Sequence, residues 1–189
     1  MSKFQGRYRI NSSRHPNWNY AWKGLYFVTV CTRFYENYFG EIINGEMYYS
    51  EIGNKVNEEW LKTLESRPDM NITLDKFQVM PNHFHGIIGI GRNKFNPHET
   101  THLTGKEMIA VEDFIENSKN VFGPQSKNLG SIMRGLKSAI TSYAQSNNIL
   151  FAWHPRFHDV IIRDEVSLMK IRKYIQNNVK NWGKDRFRK

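Results

Sequence analysis

The sequence predicts an α+β fold: an antiparallel sheet with helices packed mainly on one face. Three observations carry this. Asn44-Gly45 lies between the short apolar runs of "FGEIINGEMYYS" (39–50), and Asn-Gly is the dipeptide a two-residue hairpin turn favours, because a type I′ turn needs positive φ. Pro81-Asn82 joins two further β-rich runs, 71–80 and 83–90, and Pro81 can supply that turn. Segments with apolar residues every three or four positions alternate with these strands, as helices that cover a sheet do.

Taken in order, "GLYFVTVCT" (24–32) is aromatic and β-branched and reads as a strand. The hairpin at 39–50 follows. Ser50 is a candidate N-cap, after which Ile52, Val56, Trp60 and Leu64 recur every four residues until Pro68, so an amphipathic helix is expected. The two strands around Pro81-Asn82 come next. Residues 92–128 lack clean periodicity and carry Asn, Pro, Gly and Ser, which predicts a loop insertion with a short helix around 107–117. In "LGSIMRGLKSAITSYAQ" (129–145), Ile132, Leu136, Ala139, Ile140 and Tyr143 share one helical face, with Ser131 as the expected cap; Arg134 and Lys137 fall outside that stripe. "FHDVIIR" (157–163) is a short strand. A last helix is expected over 164–182, with acids in its first turn and bases later, as the helix dipole prefers.

A chain of 189 residues fits one domain over 1–189 carrying an insertion, and is long enough to bury its own core. Cys31 is the only cysteine, so no internal disulfide forms. No apolar run approaches the ~20 residues of a membrane helix, and the N-terminus shows no apolar signal segment, so a soluble cytoplasmic protein is expected. The net charge of +9 is uneven. Residues 1–35 hold six bases and no acid, residues 170–189 hold eight bases and one acid, Asp185, and 92–128 balance five against five. Basic ends mixed with Tyr8, Trp18, Trp22, Tyr174, Trp182 and Phe187 suit a polyanion whose bases stack on rings, although the same aromatics also suit a core and the same charges a solvated tail.

"VMPNHFHGIIGI" (79–90) places His83 and His85 two residues apart on a strand, so both point to one face and Phe84 to the other. Two neutral imidazoles in register can chelate a metal ion. Spacing alone leaves that reading level with a hydrogen-bonded pair on a half-exposed sheet. On the final helix, Leu168, Ile171, Ile175 and Trp182 form the apolar stripe, with Tyr174 at its edge and Asn178 one turn on.

"PNHFH" on a strand together with "IRKYIQNN" on a C-terminal helix resembles the single-tyrosine HUH transposases, in the branch of the REP-associated tyrosine transposases. "YFVTVCT", "FGEI", "VMPNHFHGII", "FHDVIIRDE" and "YIQNN" occur in the order of that family, over roughly residues 24–183. The resemblance implies a ferredoxin-like sheet. It implies Tyr174 as the nucleophile that forms a 5′-phosphotyrosine, and His83, His85 and Asn178 as ligands of a divalent ion, Mg²⁺ or Mn²⁺. Relatives often read Asn-Pro where this chain reads Asn178-Val179, and without the Pro the helix is free to run on. The implied partner is single-stranded DNA bearing a hairpin, with a homodimer among the allowed arrangements and a nucleoid location. Arg134, Lys137, Arg156, Lys170, Arg172 and Lys173 are candidates for backbone phosphates. No P-loop or dinucleotide fingerprint is present, so no nucleotide cofactor is expected. A replication-initiator-like nickase and a silent nucleic-acid-binding module are the alternatives.

Overall fold

The computed structural model describes residues 3–4, 7–8, 18–96 and 126–188. Eight strands and three α-helices are described: β1 (Lys3–Phe4), β2 (Arg7–Tyr8), β3 (Gly24–Cys31), β4 (Gly40–Ile43), β5 (Glu46–Tyr49), α1 (Glu51–Leu61), β6 (Ile72–Val79), β7 (His83–Ile90), α2 (Leu129–Ser146), β8 (His158–Ile162) and α3 (Glu165–Asn177). β3, α1, β6, β7, α2 and β8 form a βαββαβ unit. Its strands make one antiparallel sheet in the order β6-β7-β3-β8, the arrangement of a ferredoxin-like fold. β1–β2 and β4–β5 are separate ribbons. Most of segment 92–128, including the short helix expected at 107–117, lies outside the described residues.

The alternation of strand side chains decides which face each residue serves. Tyr26, Val28 and Val30 of β3, with Phe84, Ile88 and Ile90 of β7, face α1 and α2 in the main core around Trp60, Phe39 and Met133. The opposite parity, Leu25 and Phe27 of β3 with Ile87 of β7, meets Leu168, Ile171 and Ile175 of α3. Two helices therefore cover one face and the third covers the other. This explains why every residue of β7 is buried: it is a central strand with a helix layer over each side.

The hairpin turn takes the expected form, with Asn44 at φ 52° and Gly45 at φ 81°. Ser50 caps α1 by accepting a hydrogen bond from the Gly53 amide at 3.0 Å. That helix stops at Leu61, so Leu64 lies outside it and is exposed. α2 is capped by Asn128 rather than Ser131. The Asn128 side chain accepts from the Ser131 amide at 2.9 Å and the Ser131 hydroxyl accepts from the Asn128 amide at 3.1 Å, a reciprocal capping box. Asn128 precedes the apolar stripe by four residues, and Ser131 serves better as the third residue of the first turn, where it answers a second open donor.

α3 also ends earlier than its apolar stripe suggests. After Asn177 the backbone bonds tighten, with the Asn178 amide donating to Ile175 O and the Trp182 amide to Val179 O. The chain then passes through a 3₁₀ turn at Trp182–Lys184. Without a Pro at 179 the helical twist persists as a mixture of bond types, the Asn181 amide donating both to Asn177 O at 2.9 Å and to Asn178 O at 3.1 Å.

One contact in this frame admits no side chain. A Cβ on Gly53 would lie 2.0 Å from the carbonyl oxygen of Phe39, a backbone atom that cannot rotate away. Gly53→Ala is expected to cost about 3 kcal/mol or more, at the upper end of core overpacking. A urea melt within about 0.5 kcal/mol of wild type would contradict the close packing of α1 on the loop before β4.

Candidate active site

His83 and His85 lie on the face covered by α3, and Phe84 faces the main core beside Trp60, as strand alternation requires. Both imidazoles are almost fully inaccessible, at 0% and 1% exposure, so they are a sealed pair rather than a half-exposed one. Their ring centroids are 4.5 Å apart.

Each ring is oriented by a neighbour. Thr29 pairs with His85 across β3–β7, and its hydroxyl lies 2.8 Å from His85 Nδ1. Asn82 holds His83. The Asn82 Nδ2 donates to Tyr35 O at 3.0 Å and to Phe187 O at 2.7 Å, so its nitrogen faces two carbonyls. Asn82 Oδ1 must then face His83 Nδ1, 2.9 Å away, which makes that nitrogen the protonated one. His83 Nε2 therefore carries a lone pair, and it has no hydrogen-bond partner although it is buried.

α3 delivers the other side chains. Tyr174 is 42% exposed, and its hydroxyl is 3.1 Å from His85 Nε2. Phe27 stacks on His85 and meets Tyr174 edge-on, fixing both rings. Asn178, one turn on, is buried at 2% exposure, and its Nδ2 makes no hydrogen bond. It lies close enough to Tyr174 to offset part of the rise that burial and nearby Asp185 impose on the phenol's pKa. His83, His85, Tyr174 and Asn178 thus meet on one face of the sheet, brought there by β7 and α3.

Burial, the positive charge of Arg186 and, for His83, the neighbouring imidazole keep both histidines neutral. His85 is lowered to about 3 and His83 well below the ordinary histidine range. In the unfolded chain both titrate near pH ~6.5, so the unfolded state binds more protons below that value and stability rises with pH there. Stability is expected to hold above roughly pH 6.5 and to fall as pH drops below it. A urea midpoint that stays flat between about pH 7 and about pH 5 would contradict the sealed neutral pair.

The donor set suits a divalent cation. Two neutral imidazoles, one with an orphaned lone pair, stand beside the Asn178 side chain, whose Nδ2 makes no hydrogen bond and whose amide oxygen would be the atom to meet a cation. Among the described residues no three His, Cys, Asp or Glu side chains converge on one cation position, so a full set has to draw on the Asn178 amide. His85 Nε2 is held by the phenol, so it would be open to a cation only if that hydroxyl moved off.

The basic candidates fall into two groups. Arg172 holds Asp75 of β6 through both Nε and Nη2, at 3.0 and 2.6 Å, and ties α3 to the sheet. Lys137 donates to His154 O at 2.6 Å, sits over the Trp153 ring and has its pKa lowered by burial. Both are engaged within the chain. Arg134, Arg156, Lys170 and Lys173 are exposed; Arg134 and Arg156 also interact within the chain, and Lys170 and Lys173 lie on α3 beside Tyr174.

Sequence reasoning passed over Thr29, Asn82, Asp185 and Phe187. Asn82 stands inside the Pro-Asn-His-Phe-His run, so a signal existed. The Phe187 ring packs 4.7 Å from His83, which resolves the choice between base stacking and core that its place in the basic end left open.

An uncharacterized protein of Haemophilus influenzae is 34% identical to this chain over 181 residues, covering 95% of this chain and 93% of that one. The two chains belong to one family. No family model matches the sequence. Among solved structures, that of a REP-associated tyrosine transposase bound to a REP hairpin superposes with a TM-score of 0.56, at 15% identity, over 92% of this chain and 75% of that one. The chain has the fold of that transposase, in line with the resemblance its motifs carry. Among the described residues no helix is long and apolar enough to cross a membrane.

Proposed function

We propose that this protein is a transposase that cleaves and rejoins single-stranded DNA at hairpin-marked ends, with Tyr174 as the nucleophile. The observation that carries this reading is the Tyr174 hydroxyl 3.1 Å from His85 Nε2, beside a second neutral imidazole. The transposase fold and the hairpin held by the solved neighbour support it.

Tyr174 Oη attacks the scissile phosphorus. A P–O bond forms to the phenol, the P–O3′ bond breaks, the phenolic proton is released to solvent and the leaving 3′ oxygen takes one up. The product is a 5′-phosphotyrosine and a free 3′-hydroxyl. A later hydroxyl can reverse the step without ATP, because the phosphodiester energy is kept. His83, His85 and Asn178 would hold Mg²⁺ or Mn²⁺, which supplies Lewis-acid polarisation of the phosphate. Phe27 keeps the phenol against the sheet, and partial exposure leaves it open to a strand arriving from solvent. Lys170 and Lys173 place positive charge next to that opening.

Attack on a phosphate held against a sheet needs a flexible, unpaired backbone, so a hairpin with single-stranded flanks is expected to bind tighter than the same sequence fully paired. Affinity is expected to fall with salt, at about −0.7 in log K per log salt for each neutralised phosphate. Lys170→Ala with Lys173→Ala is expected to flatten that slope by roughly one to one and a half. Titration of labelled hairpin, linear strand and duplex at several salt concentrations tests this. Tighter binding and matching cleavage of the duplex would overturn the single-strand reading in favour of a duplex nickase.

A further inference from the structure

We propose that Phe34, with Arg33 at its side, is a stacking platform for an unpaired base of the DNA strand that the site takes. The proposal rests on the single-strand reading of the site, and adds to it a contact with a base rather than a phosphate.

Phe34 lies in the turn that follows β3, at the end of the sheet that carries the histidines. Cys31, the last residue of β3, pairs with His83. The Thr32 amide donates to Asn82 O at 2.9 Å, and Tyr35 O accepts the Asn82 side chain at 3.0 Å. The turn is therefore fastened on both sides of Phe34 to the residue that orients His83. To make it, Phe34 and Tyr35 both take left-handed backbone, each at φ 56°. That region is costly for bulky side chains and is usually filled by Gly or Asn.

The two rings of the turn are used differently. Tyr35 stacks between His154 and Phe187, at centroid distances of 6.3 and 5.7 Å. Its ring thus packs within the chain and continues the layer over His83. Phe34 is 66% exposed, and among the described residues its ring meets no other ring. It adds nothing to the core, and a Gly would close the same turn with less strain. What the ring offers is a flat apolar face, with the exposed Arg33 guanidinium 4.9 Å from its centroid. Among the described residues Arg33 has no carboxylate partner. A flat ring beside a free cation is the surface on which unpaired bases of a charged strand stack. Exposed Arg186, 4.5 Å over the Phe187 ring, adds positive charge to the same stack of rings. A paired base has its faces covered by its neighbours, so such a platform favours the single strand.

The test uses the full chain and a labelled DNA hairpin with oligo(dT) flanks, followed by anisotropy. Phe34→Gly suits the left-handed backbone and is expected to keep the Tm at or above wild type. It is expected to weaken binding by about 5-fold or more, the loss typical of one stacked base. Phe34→Leu, apolar but not flat, is expected to weaken it similarly, and Phe34→Trp to keep wild-type affinity. The salt slope is expected to stay as it is, because no charge is removed. The same hairpin with abasic flanks keeps the phosphates and lacks the bases, and Phe34→Gly is expected to bind it as wild type does. If Phe34→Gly binds the oligo(dT)-flanked hairpin as wild type does, Phe34 is not a platform and the single-strand reading stands. An equal loss on the abasic probe would show that the substitution acts on phosphate contacts, and also overturns the proposal. No binding of the flanked hairpin by wild type removes the single-strand reading itself.

Discussion

Tyr174→Phe is expected to abolish cleavage of a cognate single strand, by about 10⁴-fold or more, while leaving strand affinity within a few-fold. Subtilisin sets the scale: loss of its nucleophile alone costs ~10⁶ in kcat. The selectivity of the effect follows from the site. The ring, held edge-on by Phe27 and flanked by His85, stays where it is when only the oxygen is removed. The lost hydrogen bond to His85 Nε2 lies at a partly exposed position, so stability is expected to change by about 1 kcal/mol or less. Tyr143 provides the control. Its hydroxyl is bonded to Glu51 on the α1–α2 side, across the sheet from His83 and His85, and Tyr143→Phe is expected to leave cleavage unchanged. The measurement is a labelled-strand cleavage assay with mass-spectrometric mapping of the covalent adduct. An adduct on any residue other than Tyr174 would defeat the mechanism.

His83→Ala/His85→Ala is expected to remove Mn²⁺ binding and cleavage together. The substitution deletes the one orphaned lone pair in the site and the nitrogen that meets the phenol. It also leaves Thr29 and Asn82 without ring partners in a buried layer, so a fold control is needed. His85→Gln, which keeps a polar side chain against Thr29, provides one. It is expected to retain a cooperative melt while lowering Mn²⁺ affinity. Undiminished Mn²⁺ binding by the double variant in calorimetry would sink the metal assignment of the pair.

The sheet and its three helices were legible before any coordinates, because period-two and near-period-four patterns are local and each is tied to one face. Asn44-Gly45 is legible for the same reason: its backbone angles are a property of two residues. Helix ends were less so. Asn128 rather than Ser131 caps α2, and α3 gives way to mixed turn bonding after Asn177, because ends depend on which orphan groups find partners. The site shows the same division. That His83 and His85 share a face opposite Phe84 follows from strand geometry alone, and that Tyr174 and Asn178 share a side follows from the helix. Which face of the sheet α3 covers is a tertiary matter. So is the fate of Arg172, which reads as a phosphate contact until Asp75, 97 residues away, is found in its grip. The tail is the clearest case. Residues 182–188 suit a nucleic-acid surface, a core or a solvated basic end alike in sequence, and only the packing of Phe187 on His83, with Asn82 holding its carbonyl, shows that the segment closes over the histidine pair. Residue identity and spacing determine which groups can act and which face each one takes. Contacts between residues distant in sequence decide which of them meet, since those depend on chain reversals that no local pattern encodes.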